Sequence, residues 1–197
     1  LPQARPADRV LQVHNSYLVT QDEHGLVIID QHALHERVMF EALSARLAQG
    51  PLESQRLLTP ATLSAPPAQV ERLGDLAKVF ERLGVEASPL GPDSIAIHAF
   101  PTFLFGRGVD PAEFIAGLLE RAESEGFGAG EEEALHEALD MMACKAAVKA
   151  GDRMSDEELT ELLRLRDAVE RSSNCPHGRP TAIRLSIRDL EKRFGRS

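Results

Sequence analysis

Asp30, His32, Glu36 and Glu41 fall together in the stretch DQHALHERVMFE. Carboxylates and an imidazole so close in sequence suit a divalent metal ion or a tight hydrogen-bond network. Asp30 follows the apolar run Leu26–Ile29 and stands where a strand gives way to a helix, a place where a carboxylate makes a good N-cap. On the helix, His32 and Glu36 are four residues apart and share a face. That face continues through Phe40, Leu43 and Leu47, so both polar groups lie on the stripe expected to point into a core. Burying a carboxylate and an imidazole costs several kcal/mol unless each finds a partner. A surface His–Glu pair at this spacing is a common alternative; continuity with the apolar stripe argues for a built site.

Three other stretches could carry chemistry or recognition. In Cys175-Pro-His177-Gly-Arg-Pro180 a thiolate and an imidazole are two residues apart in a stiffened turn. Zinc accepts such mixed ligands, four at a time. Ala143-Cys144-Lys145 lies late in a helix whose residues Leu135, Leu139, Met142 and Ala146 form one face. Cys144 lies nearly opposite, with Met141 and Val148, and by itself reads as a core thiol. Gln55-Arg-Leu-Leu-Thr-Pro60 reads either as an edge strand or as an extended segment able to add to a partner's groove.

The elements around these stretches follow from periodicity and punctuation. Val10 to Thr20 reads as one strand, Asp22 to Gly25 as a turn, and Leu26 to Ile29 as a returning, fully buried strand. The motif helix is expected over 32–49 and stops at Gly50-Pro51. Gln55 to Leu63 is extended. A single helix through Val70, Leu73, Ala77, Phe80 and Leu83 ends at Gly84 as C′. Ser88 to Asp93 reads as a Pro/Gly turn region and Ser94 to Phe100 as a strand. Asp110-Pro-Ala-Glu113 signals a capping box for a helix closed by Gly126. Further helices are expected over 131–149, over 155–171 behind a Ser155/Glu158 box, and briefly up to Phe194, with a strand over 181–187. The fold class is α+β. The block 52–105 reads as a small β-α-β subdomain inserted between 1–51 and 106–197.

The totals narrow the function. The 197 residues carry a net charge of −9, which argues against strong autonomous DNA binding. No apolar run is long enough for a membrane span, and no signal peptide is visible, so a cytoplasmic location is expected. Two cysteines, with no C-x-x-C pair, allow one disulfide by count, but a cytosolic setting argues against it. The opening LPQARPADR reads as a linker, with the chain a piece of a longer protein.

The motif stretch resembles the endonuclease motif of MutL-type mismatch-repair proteins: Asp-Gln-His-Ala, two residues, Glu, four residues, Glu. Here these are Asp30, Gln31, His32, Ala33, Glu36 and Glu41. Three later signatures of that family are matched in order by Ala143-Cys144-Lys145, Cys175 to Pro180 and Phe194-Gly-Arg196. Lys145 departs from the commoner Arg, keeping charge but losing bidentate geometry. The resemblance covers essentially the whole chain, as a MutL C-terminal region without its ATPase.

The resemblance implies a set of roles. Asp30, His32, Glu36, Cys144, Cys175 and His177 would be metal ligands, with Glu41, Lys145, Arg179 and Arg196 supporting or contacting phosphate. It implies a tightly held Zn²⁺ that is structural or regulatory, and Mn²⁺ or Mg²⁺ for phosphodiester cleavage. Gln55, Leu57, Leu58 and Pro60 would dock on the polymerase sliding clamp. Segments 1–51 and 106–197 would form a dimerisation and endonuclease subdomain, giving a homodimer, and 52–105 an external regulatory one. The implied partners are duplex DNA, bound weakly by the domain alone, and the mismatch-recognition protein MutS through the full-length protein, in a bacterial, nucleoid-associated setting. A zinc-stapled dimerisation and clamp-docking module without activity is the alternative, which Asp30 disfavours because closed structural zinc sites prefer Cys and His. A small-molecule metallohydrolase would need a deep apolar pocket that nothing in the sequence indicates.

Overall fold

Residues 10–126, 130–147, 154–168 and 180–196 are described by a computed structural model. In chain order the strands are β1 (Leu11–Val13), β2 (Tyr17–Asp22), β3 (Gly25–Asp30), β4 (Ser54–Ser64), β5 (Glu86–Gly91), β6 (Ser94–Pro101) and β7 (Ala182–Ser186). The helices are α1 (Gln31–Leu47), α2 (Pro67–Arg72), α3 (Ala77–Leu83), α4 (Thr102–Phe105), α5 (Pro111–Arg121), α6 (Glu131–Ala146), α7 (Asp156–Ala168) and α8 (Ile187–Arg193). The fold is α+β, with two antiparallel sheets. The chain forms two compact units, residues 1–41 with 147–197 and residues 42–146.

The first unit is built on a sheet of order β1-β2-β3-β7. Its opening stretch is two strands rather than the one expected, because His14 and Asn15 both take left-handed φ (52° and 50°) and the Ser16 N–H closes on the Val13 carbonyl at 3.1 Å. Two successive positive-φ residues match the right-handed twist of a hairpin. β3 alternates buried and half-buried positions instead of being buried throughout. On the sheet's inner side, Leu18 of β2 and Val27 and Ile29 of β3 pack with Leu34 and Val38 of α1 and with Met154, Leu159 and Leu162 at α7. The capping box that starts α7 is complete, with Ser155 N–H on Glu158 Oε2 at 2.7 Å and Glu158 N–H on Ser155 Oγ at 3.3 Å.

The second unit holds a sheet of order β4-β6-β5. Phe100 of β6 meets Phe114 of α5 edge to face, with ring centroids 5.7 Å apart. Ile95, Ile97, Leu104, Ile115, Leu118 and Leu119 fill the same interior and are fully buried. Asp110 caps α5 by accepting from the Glu113 N–H at 2.9 Å.

Four expectations are corrected here. The helix expected through Val70 to Leu83 is broken into α2 and α3, although Leu73 and Leu76 in the break are buried and keep the apolar spacing. The Pro/Gly stretch at Ser88 is strand β5, on the sheet's edge, where Pro89 removes no needed ladder bond. The block 52–105 therefore holds three strands and three helices, more than the β-α-β expected. The unit boundaries fall at 41/42 and 146/147 rather than at 51 and 105, because α5 packs on β4 and β6, and α6 packs on α3 and α4. Smaller differences are at helix ends: α5 stops at Arg121 and a single π turn, Ala122–Gly126, follows it, while α6 is described to Ala146.

Candidate functional site

The motif residues stand at one corner of the first unit, where β3 runs into α1 without a loop. Asp30 is the last residue of β3, and its Oδ1 accepts the Ala33 N–H at 3.0 Å, as an N-cap should. Its own N–H donates to the Thr181 carbonyl at 2.8 Å. The next residue, Gln31, donates its N–H to the Ser16 carbonyl at 2.9 Å, and its buried side chain accepts from Gln12 Nε2 at 2.6 Å. Two strands and the buried approach to β7 thus fix the start of α1.

Along α1 the expected face is found: Glu36, Phe40, Leu43 and Leu47 are buried, with Glu36 only 3% exposed, while His32 is half-buried. The helix also buries Gln31, Leu34 and Val38 on its other side, so it is enclosed by more than the single stripe expected. Glu41 is held by an ion pair with Arg37. Arg37 is itself 8% exposed, its guanidinium carbon lies 5.6 Å from the Phe40 ring centroid, and its Nε makes no hydrogen bond. Sequence reasoning missed Arg37; a cation between two motif acids on a buried helix was the available signal.

Cys144 and Lys145, in the last turn of α6 in the second unit, are both exposed. The reading of Cys144 as a core thiol is overturned: α6 buries Met141 and Met142 but turns Cys144 outward. Cys175, His177 and Arg179 lie outside the described residues. Arg196 is exposed beyond α8. Among the described residues, the trio of donors found within 4.8 Å of one another is His136, Glu137 and Asp140 on α6, not Asp30, His32 and Glu36. That trio has ordinary partners: His136 Nδ1 lies 3.6 Å from Asp140 Oδ2, and Glu137 lies 3.4 Å from Arg121 Nη1.

Two surfaces suit docking rather than chemistry. On the outer face of the first sheet, Leu11, Val19, Ile28 and Ile183 are cross-strand partners in one continuous row. Leu11 is 63% exposed, Ile183 57%, and Tyr17 on the same face 47%. A row of large apolar side chains on an open sheet face marks an interaction site. The second surface is β4, an edge strand whose pairing with β6 shifts register between Arg56 and Ala61. Leu57 to Pro60 therefore leave the ladder; Leu58 is fully exposed, and Gln55 and Pro60 are exposed with it.

Comparison with known proteins converges on one family. Residues 10–154 match the family described as the MutL C terminal dimerisation domain. The chain is similar to the DNA mismatch repair protein MutL of Phenylobacterium zucineum (strain HLK1), 36% identical over 94% of the chain and 29% of that protein. It is 37% identical to MutL of Brucella abortus (strain S19) and 36% to MutL of Caulobacter vibrioides (strain NA1000 / CB15N), over the same shares. The chain thus spans 29% of the length of these relatives. Among the described residues no helix is long and apolar enough to cross a membrane.

Proposed function

The chain belongs to the family of MutL C-terminal dimerisation domains, and from that premise we propose that it is a self-associating, metal-dependent DNA-nicking domain recruited by a sliding clamp. The observation that carries the proposal is the anchoring of Asp30. Its backbone is bonded to Thr181, the residue directly after the Cys175-to-Pro180 signature, while its carboxylate caps α1, which carries the buried Glu36 six residues further on. One backbone hydrogen bond thus joins the first signature to the residue that follows the later one.

The donor types at this corner fit a divalent cation: two carboxylates and an imidazole at the head of one helix, one carboxylate nearly excluded from water. Asp30, His32 and Glu36 would hold Mn²⁺ or Mg²⁺, which favour oxygen ligands, and Cys144, Cys175 and His177 would contribute to a Zn²⁺ site. A bound divalent ion supplies Lewis acidity and lowers the pKa of its water from about 15.7 toward roughly 7. The chain's own part is positional. Asp30 and Gln31 fix the head of α1, and Arg37 holds the Glu41 carboxylate in one place. Lys145, Arg179 and Arg196 are the cations offered to phosphate.

Recruitment follows from charge. A chain of net charge −9 gathers little DNA by itself, so a tether to a clamp already on DNA would supply proximity. The lifted Leu57–Pro60 segment on edge strand β4 is a suitable dock, and the apolar row on the first sheet a suitable self-association face. Coupling to mismatch recognition by MutS would run through the full-length protein, in the bacterial cytoplasm at the nucleoid.

The second reading, a zinc-stapled dimerisation and clamp-docking module without activity, is favoured by one fact: Asp30 already spends Oδ1 on the N-cap. Nicking of supercoiled plasmid with Mn²⁺, with and without loaded clamp, separates the two. Cleavage that rises with the clamp and disappears in Asp30→Asn is the expected result. Absence of cleavage by the wild type, with zinc content and clamp binding intact, would leave the docking module.

A further inference from the structure

The second unit holds a cavity of about 540 Å³ that none of the motifs above explains. Its lining includes Arg46 and Gln49 near the end of α1, Glu53 before β4, Thr102 and Phe103 of α4, and Arg107 beyond it. Phe103 organises the two cations. The Arg107 guanidinium carbon lies 4.0 Å from its ring centroid and that of Arg46 5.8 Å. Arg107 Nη1 also donates to the Phe103 carbonyl at 3.4 Å. Stacking on an aromatic face holds a guanidinium plane in place.

Gathering two arginines here has a cost. Partial burial, and then the charge of Arg46, lower the pKa of Arg107. In a chain with 31 acidic and 22 basic residues, Glu53 is the one carboxylate in this lining. Arg46 forms no ion pair among the described residues. Its place in the last turn of α1 suits the helix dipole. An anion placed between the two guanidiniums relieves their repulsion. The cavity's size is that of small-ligand sites, on the order of 300–1,000 Å³.

We propose that this cavity is a phosphate-binding site, with Arg46 and Arg107 as cationic anchors and Gln49 and Thr102 as supporting donors. The phosphate comes either from a free phosphate ester or from the DNA backbone; only the second source rests on the nicking reading above. The test uses the whole chain, without metal and without an activity readout, so its failure is distinct from failure to nick. Inorganic phosphate is titrated at low ionic strength and followed by amide chemical shifts, and a short duplex is titrated by anisotropy. Arg46→Gln and Arg107→Gln should each weaken phosphate binding at least about tenfold, since each removes charge-assisted hydrogen bonds. Arg107→Lys, which keeps the charge and loses the fork, should lose most of the same affinity, and Arg188→Gln, on α8 and outside the cavity lining, none. Loss of duplex affinity in the same variants, with a salt slope smaller by about one per arginine, assigns the backbone as source. Unchanged duplex binding with lost phosphate binding assigns a free ester. Wild-type shifts that are absent, or that persist equally in Arg46→Gln and Arg107→Gln with folded spectra, overturn the proposal.

Discussion

The two sheets of this chain offer partners different parts of themselves. The first exposes a face: Leu11, Val19, Ile28 and Ile183 lie in register across four strands, with the opposite side packed on α1 and α7. The second covers its faces more fully and exposes an edge, where β4 departs from register and presents Leu58. A face buries broad apolar area and suits a permanent, self-complementary contact between copies. An edge with one lifted segment suits a smaller, exchangeable contact read by a few side chains. The same antiparallel architecture thus serves two kinds of association, and each is open to a separate break.

The largest effect is expected on the face. Ile183→Asp places a charge at the β7 end of the apolar row, where each copy would bury an uncompensated carboxylate. The dimer should weaken at least a thousandfold, about 4 kcal/mol, by sedimentation, while the monomer keeps its fold because Ile183 is already exposed in it. A dimer of unchanged strength would remove this face as the self-association surface.

A pair of glycines separates the folding of the two units. Gly25 opens β3 at φ +149°, and a Cβ there would stand 2.2 Å from the Leu185 carbonyl oxygen. Gly84 ends α3 at φ +75°, and its Cβ would stand 2.5 Å from the Leu52 carbonyl oxygen. Each obstacle is main chain and cannot swing aside, so Gly25→Ala and Gly84→Ala should each cost about 2–3 kcal/mol. Amide exchange should report the loss in the first unit for Gly25→Ala and in the second for Gly84→Ala. Equal loss in both units for either variant would mean that they unfold as one.

On the edge, Leu58→Ala removes a side chain that touches little in the free protein. Stability should stay within about 0.5 kcal/mol, while clamp affinity falls about tenfold, near 1.4 kcal/mol. Calorimetry with the purified clamp checks this, and unchanged affinity would leave the bulge without a docking role.

What was legible in the sequence was mostly local. Asp30, Asp110 and the Ser155/Glu158 pair announce their helix starts, and Gly84 its stop, because a cap involves residues three or four apart. The break between α2 and α3 was illegible because Leu73 and Leu76 keep the apolar spacing through it. Strand β5 was illegible because Pro89 and Gly91 look like a turn until β6 supplies the neighbour that makes them an edge. The candidate site divides in the same way. The helix face of Glu36 follows from spacing, but the hydrogen bond from Asp30 to Thr181 joins residues that only the sheet brings together. The Arg46–Phe103–Arg107 cluster is likewise invisible to any periodicity.

The smallest predicted effect concerns acid. The carboxylates held below their usual range among the described residues are Asp22, Glu158, Glu161 and Asp189, all in the first unit. For Asp22 the leading cause is the His24 N–H, donated at 2.8 Å, helped by the ion pair with Arg184 of β7. Such a group has a lower pKa folded than unfolded. Its contribution is therefore complete above the ordinary aspartate value and lost as pH falls through the folded one. Acidification below about pH 4 should loosen the first sheet before the second, beginning at the turn between β2 and β3. Amide exchange or site-resolved NMR against pH would follow it, and Asp22→Asn should flatten the acid slope there and nowhere in residues 42–146. Because Asp22 is solvent-exposed, the change should be a modest shift in midpoint rather than collapse of the sheet. An acid transition beginning in the β4-β6-β5 sheet would contradict the assignment of the acid-sensitive anchors to the first unit.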